Sequence, residues 1–170
     1  MIRSMLYATD LGLYAPFVMQ HALALARTFK AELYVVHAVE PLGLFAESVL
    51  QTYLGEEALR DLQSQGVNTL LEAIERKVLD GLRDELGEEF QDLELIRTVR
   101  VIQGDPCAVI LAQAEQLGVD LLIVGSQSHC ADTSAPIGRT ASRVLQLSQV
   151  PVYMVPGCTR NARRAQGQTT

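Results

Sequence analysis

Residues Val119 to Pro156 read VDLLIVGSQSHCADTSAPIGRTASRVLQLSQVPVYMVP, and their order of apolar runs and breakers decides the fold. Asp120 to Val124 is a short, nearly unbroken apolar run, as expected of a parallel strand buried on both faces. Gly125 ends it. Ser126 to Ile137 is then small and polar apart from His129, Pro136 and Ile137. Gly138 opens a helical pattern that sets Ile137, Ala141, Val144 and Leu145 on one face. Val152 to Val155 reads as a last strand, bracketed by Pro151 and Pro156. Strand, loop and helix start together gather backbone N–H groups and the positive end of a helix at one point. Such a point holds a phosphate without help from a side chain.

This stretch resembles the universal stress protein family. The ATP-binding branch of that family carries Gly, two residues, Gly, nine residues, Gly, then Ser or Thr. Gly125 and Gly138 stand at the first and third glycine positions with the spacing kept, while Ser128 replaces the second glycine. Arg139 stands where Ser or Thr is expected, with Thr140 one place later. The resemblance therefore supports the family more strongly than it supports ATP.

Composition agrees with one globular domain. The chain has 170 residues, 48% hydrophobic and 20% charged, enough for a sizeable core. A net charge of −6 argues against a general nucleic-acid surface. No apolar run approaches the ~18 residues that a membrane helix needs, and MIRSMLYATD leads straight into a strand rather than a secretory signal. Cys107, Cys130 and Cys158 are scattered, as free thiols in a reducing compartment would be, so a cytoplasmic location is expected.

Outward from the quoted stretch, strands and helices alternate. Met5 to Thr9 reads as the first strand, with Asp10 at its C-terminal end. A helix from Ala15 to Phe29 has Val18, Ala22, Leu25 and Phe29 as its inner stripe. Leu33 to Val39 is the second strand, ended by Glu40-Pro41. Leu42 to Gln65 shows no clear period, and a long helix is predicted over about Asn68 to Leu86, stopped by Gly87. Glu94 to Ile102 is a third strand whose Arg97 and Arg100 suggest a sheet edge. Gly104-Asp105-Pro106 starts a helix that ends at Gly118, Asp as cap and Pro as first helical residue.

The expected fold is α/β: a single open five-stranded parallel sheet with helices on both faces. The resemblance implies strand order 3-2-1-4-5, the adenine nucleotide alpha hydrolase-like arrangement. Residues 1–156 form that domain, and Gly157 to Thr170 reads as a flexible tail. Strands one and four are then neighbours whose connections leave in opposite directions, so a ligand is expected between their C-terminal ends.

The resemblance implies a nucleotide site formed by Thr9, Asp10, Val39, Gly104, Gly125, Ser126, Ser128, Gly138, Arg139 and Thr140. Its cofactor would be ATP with Mg2+, and its chemistry at most slow hydrolysis. Each residue has a plainer reading as well. Asp10 fits a turn, Gly104 the helix entry, Val39 ordinary core, and Arg139 an arginine turned into solvent or one held by a phosphate. Ser128 carries a Cβ cost of about 1–2 kcal/mol if its backbone is left-handed. His21, His37 and His129 show no metal spacing. His21 is expected on a helix surface, and His37 in a strand with a local hydrogen bond. The family also implies a homodimer, formed by antiparallel pairing of the uncharged edge Val152 to Val155. Two other functions stay open: a dimeric interaction protein that has lost its ligand, and a carrier of another cofactor such as a flavin.

Overall fold

A computed structural model describes residues 1–41, 71–72, 75–76, 78–81, 94–127 and 137–157. The elements are β1 (Ser4–Thr9), α1 (Ala15–Phe29), β2 (Glu32–Val39), β3 (Ile96–Gln103), α2 (Pro106–Leu117), β4 (Leu121–Gly125), α3 (Arg139–Leu147) and β5 (Val152–Val155). All strand pairs are parallel and the order is β3-β2-β1-β4-β5, as expected. The described part of the predicted long helix, residues 71–72, 75–76 and 78–81, is helical. The Leu42 to Gln65 stretch and the Gly87 stop lie outside the described residues.

The strand alternation divides the core between the two faces of the sheet. Met5, Tyr7, Leu33, Val35, Leu121 and Ile123 face α1, where they meet Val18, Met19, Ala22, Leu23 and Ala26. Leu6, Val36, Leu122 and Val124 face α2 and α3, where they meet Cys107, Ile110, Ala114, Ala141 and Val144. β4 is buried along residues 121–124, which explains its unbroken apolar sequence. Asp120, just before it, accepts from the N–H groups of Arg3 and Ser4 at 2.7 and 3.1 Å and so pins the start of β1 beside β4.

Two apolar stripes read from the sequence are narrower in the structure. Phe29 is 44% exposed because it closes α1 at its last residue, and Leu25 is only partly buried. On α3, Ala141 and Val144 are buried while Ile137 and Leu145 are 45% and 40% exposed. This nine-residue helix buries only Ala141 and Val144, and the flanking apolar residues stay in contact with solvent. β3 stands at the other edge, where Arg97 pairs with Glu32 at 3.6 Å and Arg100 donates to Gln113 at 3.0 Å.

His21 is half-buried rather than on the surface. Its ring meets Phe17 edge-on at 4.8 Å, and its Nδ1 lies 3.3 Å from the Tyr153 hydroxyl of β5. Gly157, assigned by sequence to the tail, is buried and donates to Ser126 Oγ at 2.8 Å. The rest of that tail lies outside the described residues. No helix among the described residues is long and apolar enough to cross a membrane.

Candidate functional site

A cavity of about 400 Å³ opens where β1 and β4 end side by side. Its floor is apolar, with Ala8, Val18, Val36, Val124 and Ile110 contributed by β1, α1, β2, β4 and α2. Its rim is polar and comes from chain segments that leave the sheet in opposite directions, as a switch point requires.

On the β1 side, Thr9 and Asp10 shape a tight exit. Thr9 Oγ1 accepts from the Leu11 N–H at 3.1 Å and Asp10 Oδ1 from the Gly12 N–H at 2.8 Å. These bonds hold Leu11 at φ 56°, a left-handed conformation unusual for a residue with a side chain. The turn carries the chain into α1 and leaves Asp10 at the cavity rim. Asp10 thus serves as a turn residue and also lines the site.

On the β4 side, Ser126 ties three segments together. Its N–H donates to the Val155 carbonyl, its carbonyl accepts from the Gly138 N–H, and its hydroxyl accepts from the Gly157 N–H, each at 2.8 Å. The two ends of the loop are thereby clamped, and α3 begins directly over the end of β4. Ser128, His129 and Cys130 lie outside the described residues.

Gly138 is the N-cap of α3 and makes no side-chain cap. The N–H groups of the first turn, from Arg139 to Ala141, precede the first intrahelical bond, Ser142 N–H to the Gly138 carbonyl. A Cβ on Gly138 would sit 3.3 Å from the Ser126 carbonyl oxygen, and one on Gly125 would sit 3.2 Å from Val18 Cγ2. Both glycines leave room where a ligand backbone approach needs it.

The first turn of α2 borders the same cavity through Pro106. Its N-terminus is closed: Asp105 Oδ1 accepts from the Ala108 N–H at 3.0 Å, and Pro106 has no N–H to offer. That bond, with the nearby charges of Arg143 and Arg139, holds the Asp105 carboxyl below its ordinary range. Arg143 reaches Asp105 at 3.3 Å, and Arg139 reaches Glu40 at 3.9 Å.

The structure thus brings Thr9, Asp10, Gly125, Ser126, Gly138, Arg139 and Thr140 to one cavity. Val39 and Gly104 do not line it. Ala38 and Glu40, on either side of Val39, do. Gly104 donates to the Val39 carbonyl at 2.9 Å, and a Cβ there would lie 2.8 Å from Val109 Cγ2. Its role is to let α2 start close against β2.

Several lining residues gave no usable signal in the sequence: Tyr14, His37, Glu40 and Ile110. His37 Nδ1 lies 2.9 Å from the Thr9 carbonyl, a cross-strand bond between residues distant in sequence. A carbonyl only accepts, so Nδ1 carries the proton and Nε2 of the neutral ring is an acceptor. For His37 and Glu40 the one available signal is their place at the C-terminal end of β2, which becomes specific only once the strand order is known.

Comparison with known proteins agrees with this architecture. The profile described as the universal stress protein family matches residues 1–156. Universal stress protein MJ0577 of Methanocaldococcus jannaschii is 24% identical over 160 residues, covering 91% of this chain and 95% of its own length. Universal stress protein YxiE of Bacillus subtilis is 26% identical over 156 residues, covering 91% and 99%. The solved structure of MJ0577 superposes with a TM-score of 0.63 at 21% identity, covering 92% of this chain and 96% of that one. A universal stress protein in complex with cAMP superposes with a TM-score of 0.56 at 17% identity, covering 92% and 98%.

Proposed function

The chain belongs to the universal stress protein family, and on that premise we propose that it binds an adenine nucleotide between the ends of β1 and β4. The observation that carries this reading is the uncapped first turn of α3, aimed at a cavity with an apolar floor. A purine ring fits the floor, and a phosphate satisfies backbone N–H groups that no side chain of Gly138 can reach. A structural relative in complex with cAMP supports the same ligand class. Thr9, Asp10, Gly125, Ser126, Gly138, Arg139 and Thr140 are the residues proposed to hold it. Ser128, at the second glycine position of the motif, is proposed to join them. ATP with Mg2+ is one ligand of this class, and any hydrolysis is slow, so the protein acts as a nucleotide sensor in a cytoplasmic stress response.

Mass spectrometry of gently purified protein is expected to find a co-purified adenine nucleotide. Calorimetry that gives no heat with millimolar ATP and magnesium, or with AMP, would overturn the reading. It would favour the second one: a dimeric interaction protein without a ligand, for which the Glu40–Arg139 pair at the cavity is the supporting observation.

The proposal includes a homodimer through β5. Tyr153 is 36% exposed on this edge strand, and Leu145 and Leu147 are 40% and 56% exposed on the helix beside it. An uncharged edge of this kind invites pairing, and a two-fold axis makes the pairing self-complementary. Light scattering is expected to show a dimer; because Val152 and Met154 also pack partly buried against the core, Tyr153→Lys at the exposed position is the change expected to give a folded monomer.

A further inference from the structure

Charge around the cavity is unevenly matched to a nucleotide. Among the described lining residues the only fixed cation is Arg139, while Asp10 and Glu40 are carboxylates. The cation is already engaged. Arg139 Nη2 lies 3.9 Å from Glu40 Oε1, and because β2 and β4 flank β1, this pair reaches across the end of β1. The next arginine on the same side of α3, Arg143, is likewise engaged, by Asp105 at 3.3 Å. The Asp105 carboxylate also caps α2 and so is not free to release it without cost to that helix.

Resting on the nucleotide-binding reading, we propose that the Glu40–Arg139 pair sets the ligand's charge: the site takes nucleotides with a single phosphate group in preference to triphosphates, unless a divalent cation accompanies the latter. The first phosphate has two sources of compensation, the bare N-terminus of α3 and the Arg139 guanidinium. The guanidinium exchanges Glu40 for the phosphate at little cost, because the side chains of the pair are 84% and 63% exposed and solvent screens them. Each further phosphate adds negative charge with no second free cation among the described lining residues, and it meets Glu40 and Asp10 at the rim. Glu40 is therefore a specificity-determining residue, and its charge discriminates against the longer phosphate chain rather than against the base.

The experiment is equilibrium binding of AMP, ADP and ATP to the full chain, without and with magnesium, for the wild type and Glu40→Gln. In the wild type without magnesium, AMP is expected to bind more tightly than ATP, and magnesium is expected to narrow the gap. In Glu40→Gln, ATP affinity is expected to rise about threefold to fivefold and AMP affinity less, since the removed, partly screened carboxylate repels the longer chain more. AMP binding by the variant also reports that it is folded. ATP binding at least as tight as AMP in the magnesium-free wild type overturns the inference, as does an equal change for both ligands in the variant. In either of those cases the nucleotide site itself stands. Binding of none of the three ligands overturns both readings.

Discussion

Two helices begin at the same cavity and are finished in opposite ways. The N-terminus of α2 is closed by its own sequence, with Asp105 accepting from the Ala108 N–H and Pro106 lacking an N–H. The N-terminus of α3 receives no side-chain cap from Gly138, and an arginine stands in its first turn where the helix dipole disfavours a cation. A closed helix start is complete within the chain. Among the described residues no side chain closes the start of α3, and this difference is why the proposed phosphate is assigned to α3 rather than to α2.

The sharpest way to break the contrast is to obstruct the approach to α3. Gly125→Val places its side chain against Val18, whose Cγ2 would already lie 3.2 Å from a Cβ at that position. Nucleotide binding should be lost at millimolar concentrations by calorimetry, with a stability cost of about 1–3 kcal/mol from overpacking. Retained affinity would show that the ligand does not approach here.

Making α3 resemble α2 is the next largest change. Gly138→Asp supplies the missing cap, at a backbone conformation (φ −57°, ψ 149°) that any residue adopts. Nucleotide affinity should fall at least about tenfold, about 1.4 kcal/mol, because the new carboxylate occupies and repels where a phosphate would sit. The thermal midpoint should hold or rise, apart from the adjustment needed at the Ser126 carbonyl 3.3 Å away. A fall in stability with unchanged affinity would mean that the bare start is structural.

A smaller effect is expected at Arg139. Arg139→Ser should weaken AMP binding by no more than about fivefold, since an exposed charge contact contributes about 0–1 kcal/mol. A clear gain in affinity would show that the arginine blocks the site.

The smallest effects belong to the closed helix. Asp105→Ala should lower the thermal midpoint and leave nucleotide affinity unchanged. Asp105→Asn keeps the cap and removes the charge, so it isolates the pH dependence. The folded-state pKa of Asp105 is depressed, so the stability it adds is present above the ordinary aspartate value and lost as pH falls through the folded one. The wild type and Asp105→Asn should therefore differ at neutral pH, begin to approach each other below the ordinary aspartate value of 3.8, and converge in acid melts below the lower folded-state value. A difference that persists there would assign the effect to packing.

Most of this fold was legible before any coordinates. β5 and α1 have the bounds that their breakers and periodicity suggest, and the other strands differ by one or two residues at their ends. The glycine spacing located Gly125, Ser126 and Gly138. Less of the cavity wall was legible. The resemblance implies Val39 as an apolar wall of the site, yet its neighbours Ala38 and Glu40 line the cavity. His21 gave only a helical position, and its contact with Tyr153 joins residues 132 apart in sequence.

Sequence by itself determined the element order, the cap of α2, the absence of a side-chain cap on α3 and the kinship of the chain. These depend on neighbours within a few residues, where backbone geometry leaves little choice. Tertiary structure alone decided that Glu40 meets Arg139, that His37 bonds to Thr9, and that Ser126 joins β5 and α3 at one point. Those contacts arise because parallel strands adjacent in the sheet are separated by whole helices in the chain, so no local pattern of residues records them.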